Sequence, residues 1–267
     1  MEELSIPSYQ VTQKDISLYK SQGYIKLKNV LTEKELHAFE EVLEKTVQKA
    51  QAGLPPMAQR DTYGKAFIQL SNLWESNNHI QEFVFSKRLA HIAQQLLDVD
   101  SIRLYHDQAL YKEAGGGITP WHCDQQYWPL SSSKTITAWI PLQEVPLQMG
   151  PLEFSAGSQH ILEGRDLEIG DESEKKIGKT LRLTDFEHHR SPYTLGEVSF
   201  HSGWIFHRAG ANETAKTRKV MTVIYMDGAM KLKAPENKNQ ENDWNRWCPG
   251  AKIGKLIDTT LNPILYP

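Results

Sequence analysis

The chain has 267 residues, 39% of them apolar and 24% charged, with a net charge of −3 and two cysteines. A chain this long buries roughly three quarters of its unfolded surface, so no disulfide scaffold is needed, and an isoelectric point of about 6.4 excludes nucleic-acid binding through a general basic field. No apolar run reaches the roughly 18 residues of a membrane span, and the opening MEELSIPSYQ lacks the apolar stretch of a secretory leader, so a soluble, cytoplasmic protein is expected.

The first hundred residues read as mostly helical. Thr12 or Asp15 can cap a short helix through Leu18–Gln22 that Gly23 ends. Tyr24 to Val30 alternates apolar and polar residues, a strand signal. Thr32 precedes Glu35 by three residues, a capping box, and Leu36, Phe39, Leu43 and Val47 follow at helical spacing until Gly53. HIQEFVFSKRLAHIAQQLLD gives one or two further amphipathic helices with Phe83, Leu89, Ile92 and Leu96 as the apolar stripe.

From Ser101 the texture changes. Short β-rich runs (SIRLYHDQALYKE, TITAWIPL, GPLEFSAGS, EVSFHSGWIFH, KVMTVIYMD) are separated by Gly, Pro and Ser clusters, the pattern of an antiparallel sandwich or barrel. The fold class expected is α+β, mainly β, with helices in front of a barrel in one domain. That domain spans 1–267: a helical front part at 1–100, a β-barrel core at 101–230 and a tail at 231–267. Gly164–Arg190 is strongly polar and reads as a solvated insertion. Asn237–Asn245 reads as a polar loop that runs into Trp244 and Trp247 and could fold over something.

The strongest chemical feature is GGGITPWHCDQQYW. His122 and Asp124 are two residues apart, so on an extended chain they point the same way and can share one metal ion. Imidazole plus carboxylate suits a borderline divalent metal, iron(II) foremost when a second His completes the face. Trp121, Tyr127 and Trp128 surround the pair, as walls of a pocket that excludes water would. The second His is open among His160, His188, His189, His201 and His207. His207 lies at a strand end, eleven residues before Arg218, which opens the next β run. An antiparallel return would bring Arg218 alongside the strand of His207. A buried Arg there requires an anion, and a guanidinium fork binds a carboxylate in a bidentate way.

Taken together, WHCDQQYW, TAWIPLQEVPLQMGPLEFSAGSQH, HSGWIFHRAGAN and TRKVMTVIYMDG resemble the phytanoyl-CoA dioxygenase-like group of iron(II)- and 2-oxoglutarate-dependent oxygenases. The tail WCPGAKIGKLIDTTLNPILYP is similar to bacterial members. The resemblance runs from about Gly23 to the end of the chain and is more specific in the second half. It implies a double-stranded β-helix, a jelly-roll barrel. It implies hydroxylation of an unactivated C–H bond of a small organic molecule with O2, releasing succinate and CO2. By position it implies His122, Asp124 and His207 as metal ligands, Arg218 as partner of the far carboxylate of 2-oxoglutarate, and Trp139 on a strand lining the cosubstrate pocket. Asp124 favours hydroxylation over halogenation, since halogenating relatives carry a small residue there. Cys123 replaces a frequent Gln and is expected to point away from the metal. Ala209 replaces a frequent Ser and removes one hydrogen bond to the cosubstrate.

Lys112, Gln108 and Gln69 are further cosubstrate candidates. Tyr127, Trp128, Trp204, Trp244 and Trp247 are candidates for the substrate wall, and Arg208 and Arg246 for an anionic substrate. His201 is the rival distal ligand. His106 reads as a strand His satisfied by hydrogen bonds, and His188 and His189 as solvated. The alternative reading is a zinc-dependent hydrolase or cupin-like isomerase on the same His/Asp/His site, which leaves Arg218 without a task.

Overall fold

The computed structural model describes residues 9–184 and 186–267. The front part carries α1 (Gln13–Gln22), β1 (Tyr24–Leu27), α2 (Glu33–Gln51), α3 (Thr62–Ala66), β2 (Ile68–Ser71), α4 (Asn78–Val84) and α5 (Lys87–Leu97). Thr12 and Thr32 each accept a bond from the backbone three residues on, while Asp15 and Glu35 reach back to the cap N–H, so both expected capping boxes form. Gly23 ends α1 at φ +79°, a conformation only glycine adopts freely.

Beyond residue 101 come β3 (Ile102–Lys112), β4 (Thr119–His122), β5 (Thr135–Pro141), β6 (Leu152–Ser155), α6 (Asp171–Leu183), β7 (His188–Arg190), β8 (Val198–Ser202), β9 (His207–Ala209), β10 (Arg218–Asp227), α7 (Lys238–Trp247) and β11 (Ile264–Tyr266). A seven-stranded sheet runs β1-β8-β5-β10-β3-β11, with β2 also on β3; a four-stranded sheet runs β4-β9-β6-β7. Every pairing between these strands is antiparallel.

The large sheet is covered on both faces, and period-two alternation assigns each residue a side. On β10, Met221, Val223 and Tyr225 join the cluster formed with Leu36, Leu43, Leu89 and Ile92 of the helices. Arg218, Thr222 and Ile224 face inward and line the central cavity. Each fully buried Leu in that helix–sheet layer contributes roughly 1.5–3 kcal/mol. On β3 the register with β10 shifts between Ile224 and Tyr225, leaving Tyr105 as the extra residue of a β-bulge. Tyr105 and His106 therefore both turn to the inner side, where Tyr105 packs with Trp128 and Trp247 and His106 lines the cavity.

Three expectations are corrected here. The polar stretch 164–190 is not simply a loop: it folds α6, because Ile177 and Leu181, four residues apart, are buried against Trp121, Cys123 and Phe206. The polar stretch from 237 is also a helix, α7, capped by the Asn237 side chain and held by Gln240 donating to the Gln126 carbonyl. EVSFHSGWIFH is two strands in different sheets, β8 and β9. The chain crosses between them at Gly203, where an added Cβ would lie 2.6 Å from Gln125 and Thr135 side-chain atoms.

Candidate active site

The inner faces of the two sheets enclose a cavity of about 300 Å³. His122 ends β4 and is in register with His207 at the start of β9. Cys123 is extended (φ −126°, ψ 143°), so Asp124, the first residue of a short 3-10 turn, returns to the side of His122. His122 Nε2 lies 3.6 Å and His207 Nε2 3.7 Å from Asp124 Oδ1. One ligand atom from each of the three residues falls within 4.8 Å of the others, a spacing that fits a single metal ion. Nδ1 of His122 lies 2.8 Å from the Pro120 carbonyl, and Nδ1 of His207 lies 3.1 Å from the Ile205 carbonyl. Donation to those carbonyls puts the hydrogen on Nδ1 and leaves each Nε2 lone pair facing the cluster.

Burial pushes both imidazole pKa values below the ordinary one, although Asp124 opposes the shift. Burial works against the Asp124 charge too, yet the three histidines around it hold its carboxyl well below the usual range. The second carboxylate oxygen, Oδ2, accepts from the Thr137 hydroxyl at 3.3 Å and lies 3.4 Å from His201 Nε2. His201 thus stands behind Asp124. Cys123 packs among Trp121, Ile177 and Phe206, on the far side from the cluster.

Arg218 is not beside β9 as the simple hairpin return suggested. β9 belongs to the small sheet, and Arg218 faces it from the large one, in register with Lys112 of β3. Both cations are essentially fully buried. Arg218 Nη1 donates to the Gly150 carbonyl, while its Nε has no partner. That carbonyl is presented by a left-handed turn at Gly150 (φ +69°), where an added Cβ would meet the Gly210 carbonyl at 2.3 Å. Lys112 Nζ donates to the Gly117 carbonyl and lies 3.4 Å from the Thr119 hydroxyl. Burial, with Arg218 adding to it, pushes the Lys112 pKa down to about 6. Burial pushes Arg218 down to about 10, although Tyr193 opposes the shift. The Trp139 Nε1–H is also buried without a partner. Among the described residues no acid pairs with Arg218 or Lys112; a buried guanidinium with an unused Nε, beside a Lys that an arriving negative charge would protonate, calls for an anion, and a dicarboxylate that also chelates the metal fits this donor set.

Trp139, Gln108, Gln69, Tyr127, Trp128, Trp247 and Arg246 line the cavity. Trp204, Trp244, Arg208 and Lys112 do not. Trp204 packs under the Arg165 guanidinium, 4.2 Å from its ring centre; Trp244 donates to the Ala251 carbonyl; Arg208 pairs with Glu153 and Glu174. These ring and guanidinium groups are spent on structure, Arg208 with α6 against β4, since Glu174 also accepts from the Trp121 N–H. His188 and His189 form part of β7, and His160 is exposed at a turn. His106 differs from expectation: its Nδ1 is buried without a partner and its ring stacks on Trp247, centroids 4.4 Å apart. Tyr63, Phe67, Ile169 and Asp243 also line the cavity. Their chain positions gave no signal, because α3 and the residue after it, the turn before α6 and α7 supply them from outside the barrel.

A barrel of two antiparallel sheets around a His/Asp/His cluster and a buried cation pair defines a non-haem metal-dependent oxygenase of the 2-oxoglutarate class, a jelly roll. The phytanoyl-CoA dioxygenase family model matches residues 19–220, and the chain belongs to that family. It is 22% identical, over 222 residues, to a probable alpha-ketoglutarate-dependent hypophosphite dioxygenase from Stutzerimonas stutzeri, covering 78% of this chain and 76% of that one. Among solved structures it is similar to the alpha-ketoglutarate-dependent carbocyclase SnoK of nogalamycin biosynthesis, with a TM-score of 0.77 and 24% identity over 96% of each chain. It is also similar to the epimerase SnoN solved with Fe3+, alpha-ketoglutarate and nogalamycin RO, with a TM-score of 0.71 and 22% identity over 94% of this chain and 96% of that one. The protein is thus an iron- and 2-oxoglutarate-dependent dioxygenase by family, and no helix among the described residues is long and apolar enough to cross a membrane.

Proposed function

We propose that this protein hydroxylates a small organic molecule, using iron(II), 2-oxoglutarate and O2 and releasing succinate and CO2. One observation carries the reading: Arg218, buried and without an acid partner among the described residues, lines the same cavity as His122, Asp124 and His207, with Lys112 in register behind it. A zinc hydrolase or isomerase has no use for that pair. His122, Asp124 and His207 hold the metal. Arg218 takes the far carboxylate of the cosubstrate, with Lys112 and Thr119 behind it and Trp139, Gln108 and Gln69 along its path. When bound, iron(II) supplies the oxygen chemistry, coupling oxidative decarboxylation of 2-oxoglutarate to oxidation of the substrate.

The residues of the chain do the rest. The backbone carbonyls of Pro120 and Ile205 fix the imidazoles. The Thr137 hydroxyl holds Oδ2 of Asp124, with His201 packed behind it, so its Oδ1 is offered to the metal. Tyr127, Trp128 and Trp247 exclude water from the reacting substrate. The chain acts as one catalytic domain in a reducing compartment, the cytoplasm, where its free and buried Cys123 and Cys248 stay thiols. The test is to add iron(II) and then 2-oxoglutarate to metal-free protein without oxygen and record the visible spectrum. A weak charge-transfer band that requires both is expected; tight zinc with no such band overturns the reading.

A further inference from the structure

The β-bulge at Tyr105 aims two polar groups at the end of the cavity remote from Arg218. Lys112 and Arg218 mark one end of the β3–β10 ladder, and His106 and Ile224 lie six positions along it, about 20 Å away at strand rise. The metal cluster sits between the two levels: Thr119, three residues before His122 on β4, touches Lys112, while Thr137, which binds Asp124, is in register with Ile224. His106 therefore lies on the cavity wall beyond the cluster, on the side away from Arg218, where a substrate has room. Above it α7 brings Asp243, Arg246 and Trp247 to the same wall.

Asp243 accepts one long hydrogen bond, from the Tyr105 hydroxyl at 3.4 Å from Oδ2, and the Trp247 side chain and the more distant Arg246 charge also favour its ionised form. No ion pair to Asp243 exists among the described residues. Arg246 is exposed and spends its guanidinium over the Trp247 ring, 4.3 Å from the centroid. His106 is 2% exposed, and its Nδ1 has no partner. A half-buried carboxylate without an ion pair among the described residues, a buried imidazole with an unused nitrogen and the rings of Tyr127 and Trp247 line this part of the cavity. Aromatic faces and a carboxylate together favour a cation, and Asp243 repels an anionic head.

We propose that this corner is the subsite for the substrate head, and that it takes the protonated amine of a molecule whose body is apolar or aromatic. The inference rests on the dioxygenase reading and adds the chemical class of the substrate. Asp243 accepts from the ammonium, the aromatic rings cover the adjoining apolar body, and His106 fixes the rotation of the head. Burial pushes the Asp243 pKa up to about 7, the shift that an arriving ammonium reverses.

The test uses three probes with one aromatic body and different heads: 2-phenylethylamine, 2-phenylethanol and 3-phenylpropionate. Each is titrated, without oxygen, into protein loaded with iron(II) and 2-oxoglutarate. Tryptophan fluorescence reports binding through Trp128 and Trp247, and the charge-transfer band reports the metal centre. The amine is expected to bind at least about tenfold more tightly than the alcohol, which corresponds to about 1.4 kcal/mol, and the carboxylate more weakly than either. Asp243→Asn is expected to erase the amine preference and leave alcohol binding within about twofold; Asp243→Glu is expected to keep the preference. An amine no tighter than the alcohol in the wild-type protein, or a carboxylate that binds best, overturns the assignment while the band still stands for the dioxygenase reading. Absence of the band in the wild-type protein overturns both. If Asp243→Asn loses its fold, the wild-type ratio and Asp243→Glu decide.

Discussion

Lys112 gives the sharpest physical test of the anion site. Its pKa is pushed from an ordinary 10.5 to about 6 by burial and by Arg218. That displacement, converted at about 1.36 kcal/mol per unit, means the empty pocket disfavours the ammonium form by roughly 6 kcal/mol. At about pH 8 the folded, ligand-free protein then carries Lys112 neutral in all but about 1% of molecules. A dicarboxylate placed beside it favours the charged form, so binding takes up a proton. Affinity for 2-oxoglutarate is expected to fall as pH rises above about 6, by up to roughly tenfold per unit. The assay is calorimetric titration of 2-oxoglutarate into manganese-loaded protein in buffers of different ionisation enthalpy. The slope against that enthalpy should give about one proton taken up near pH 8 and almost none near pH 5, while Lys112→Met should give a flat line. A flat line for the wild-type protein near pH 8 would refute the reasoning. Stability follows with its own sign. Between about pH 6 and 10.5 the unfolded chain binds this proton and the folded one does not, so ligand-free stability rises with pH, and Lys112→Met removes that slope.

Arg218→Ala should weaken 2-oxoglutarate binding by about 3 kcal/mol, roughly a hundredfold, with metal affinity nearly unchanged, measured by equilibrium titration of each. Asp124→Ala should abolish stoichiometric iron uptake, read by metal analysis at sub-stoichiometric iron. Asp107 is fully buried and its carboxylate caps the Leu73 and Trp74 N–H groups; burial still lifts its pKa to about 7. Its contribution to stability is present below about pH 4 and is lost as pH rises toward 7, so Asp107→Asn should flatten that loss in denaturant midpoints across the range. Gly203→Ala should cost about 1–3 kcal/mol, seen as a lowered midpoint, because the new methyl meets Gln125, Thr135 and Trp128 within 3 Å.

The helical front was legible because its signals are local. Thr12, Thr32 and the Leu36–Val47 stripe act over one or two turns, and α1 and α2 form where they indicate. The His122-x-Asp124 pair converges with His207 because a short motif carries its own geometry. Non-local features were not legible. Arg218 faces the small sheet from the large one, and a linear reading of its spacing from His207 put it in the wrong place. The Tyr105 bulge breaks the alternation on β3, so His106 escaped notice as a cavity residue. α6 and α7 hide in polar segments whose few apolar positions acquire meaning only beside Trp121 and Trp128. Trp204 and Trp244 illustrate the reverse: an aromatic near a motif in sequence is as readily spent on packing as on a wall.

The pairing of β1 with β8 bears on how the molecule comes into being. Tyr24 meets His201, about 180 residues later in the chain. At synthesis rates of about 5–20 residues per second, the ribosome needs on the order of 10–35 s to make that partner. Throughout that interval the apolar stripes of α2 and α5 exist without the sheet that will cover them, since β5, β8 and β10 all follow. The newborn front half is thus exposed to chaperones and to its own kind for tens of seconds. Growth temperature and translation speed, more than the equilibrium stability of the finished barrel, should set the yield of active protein.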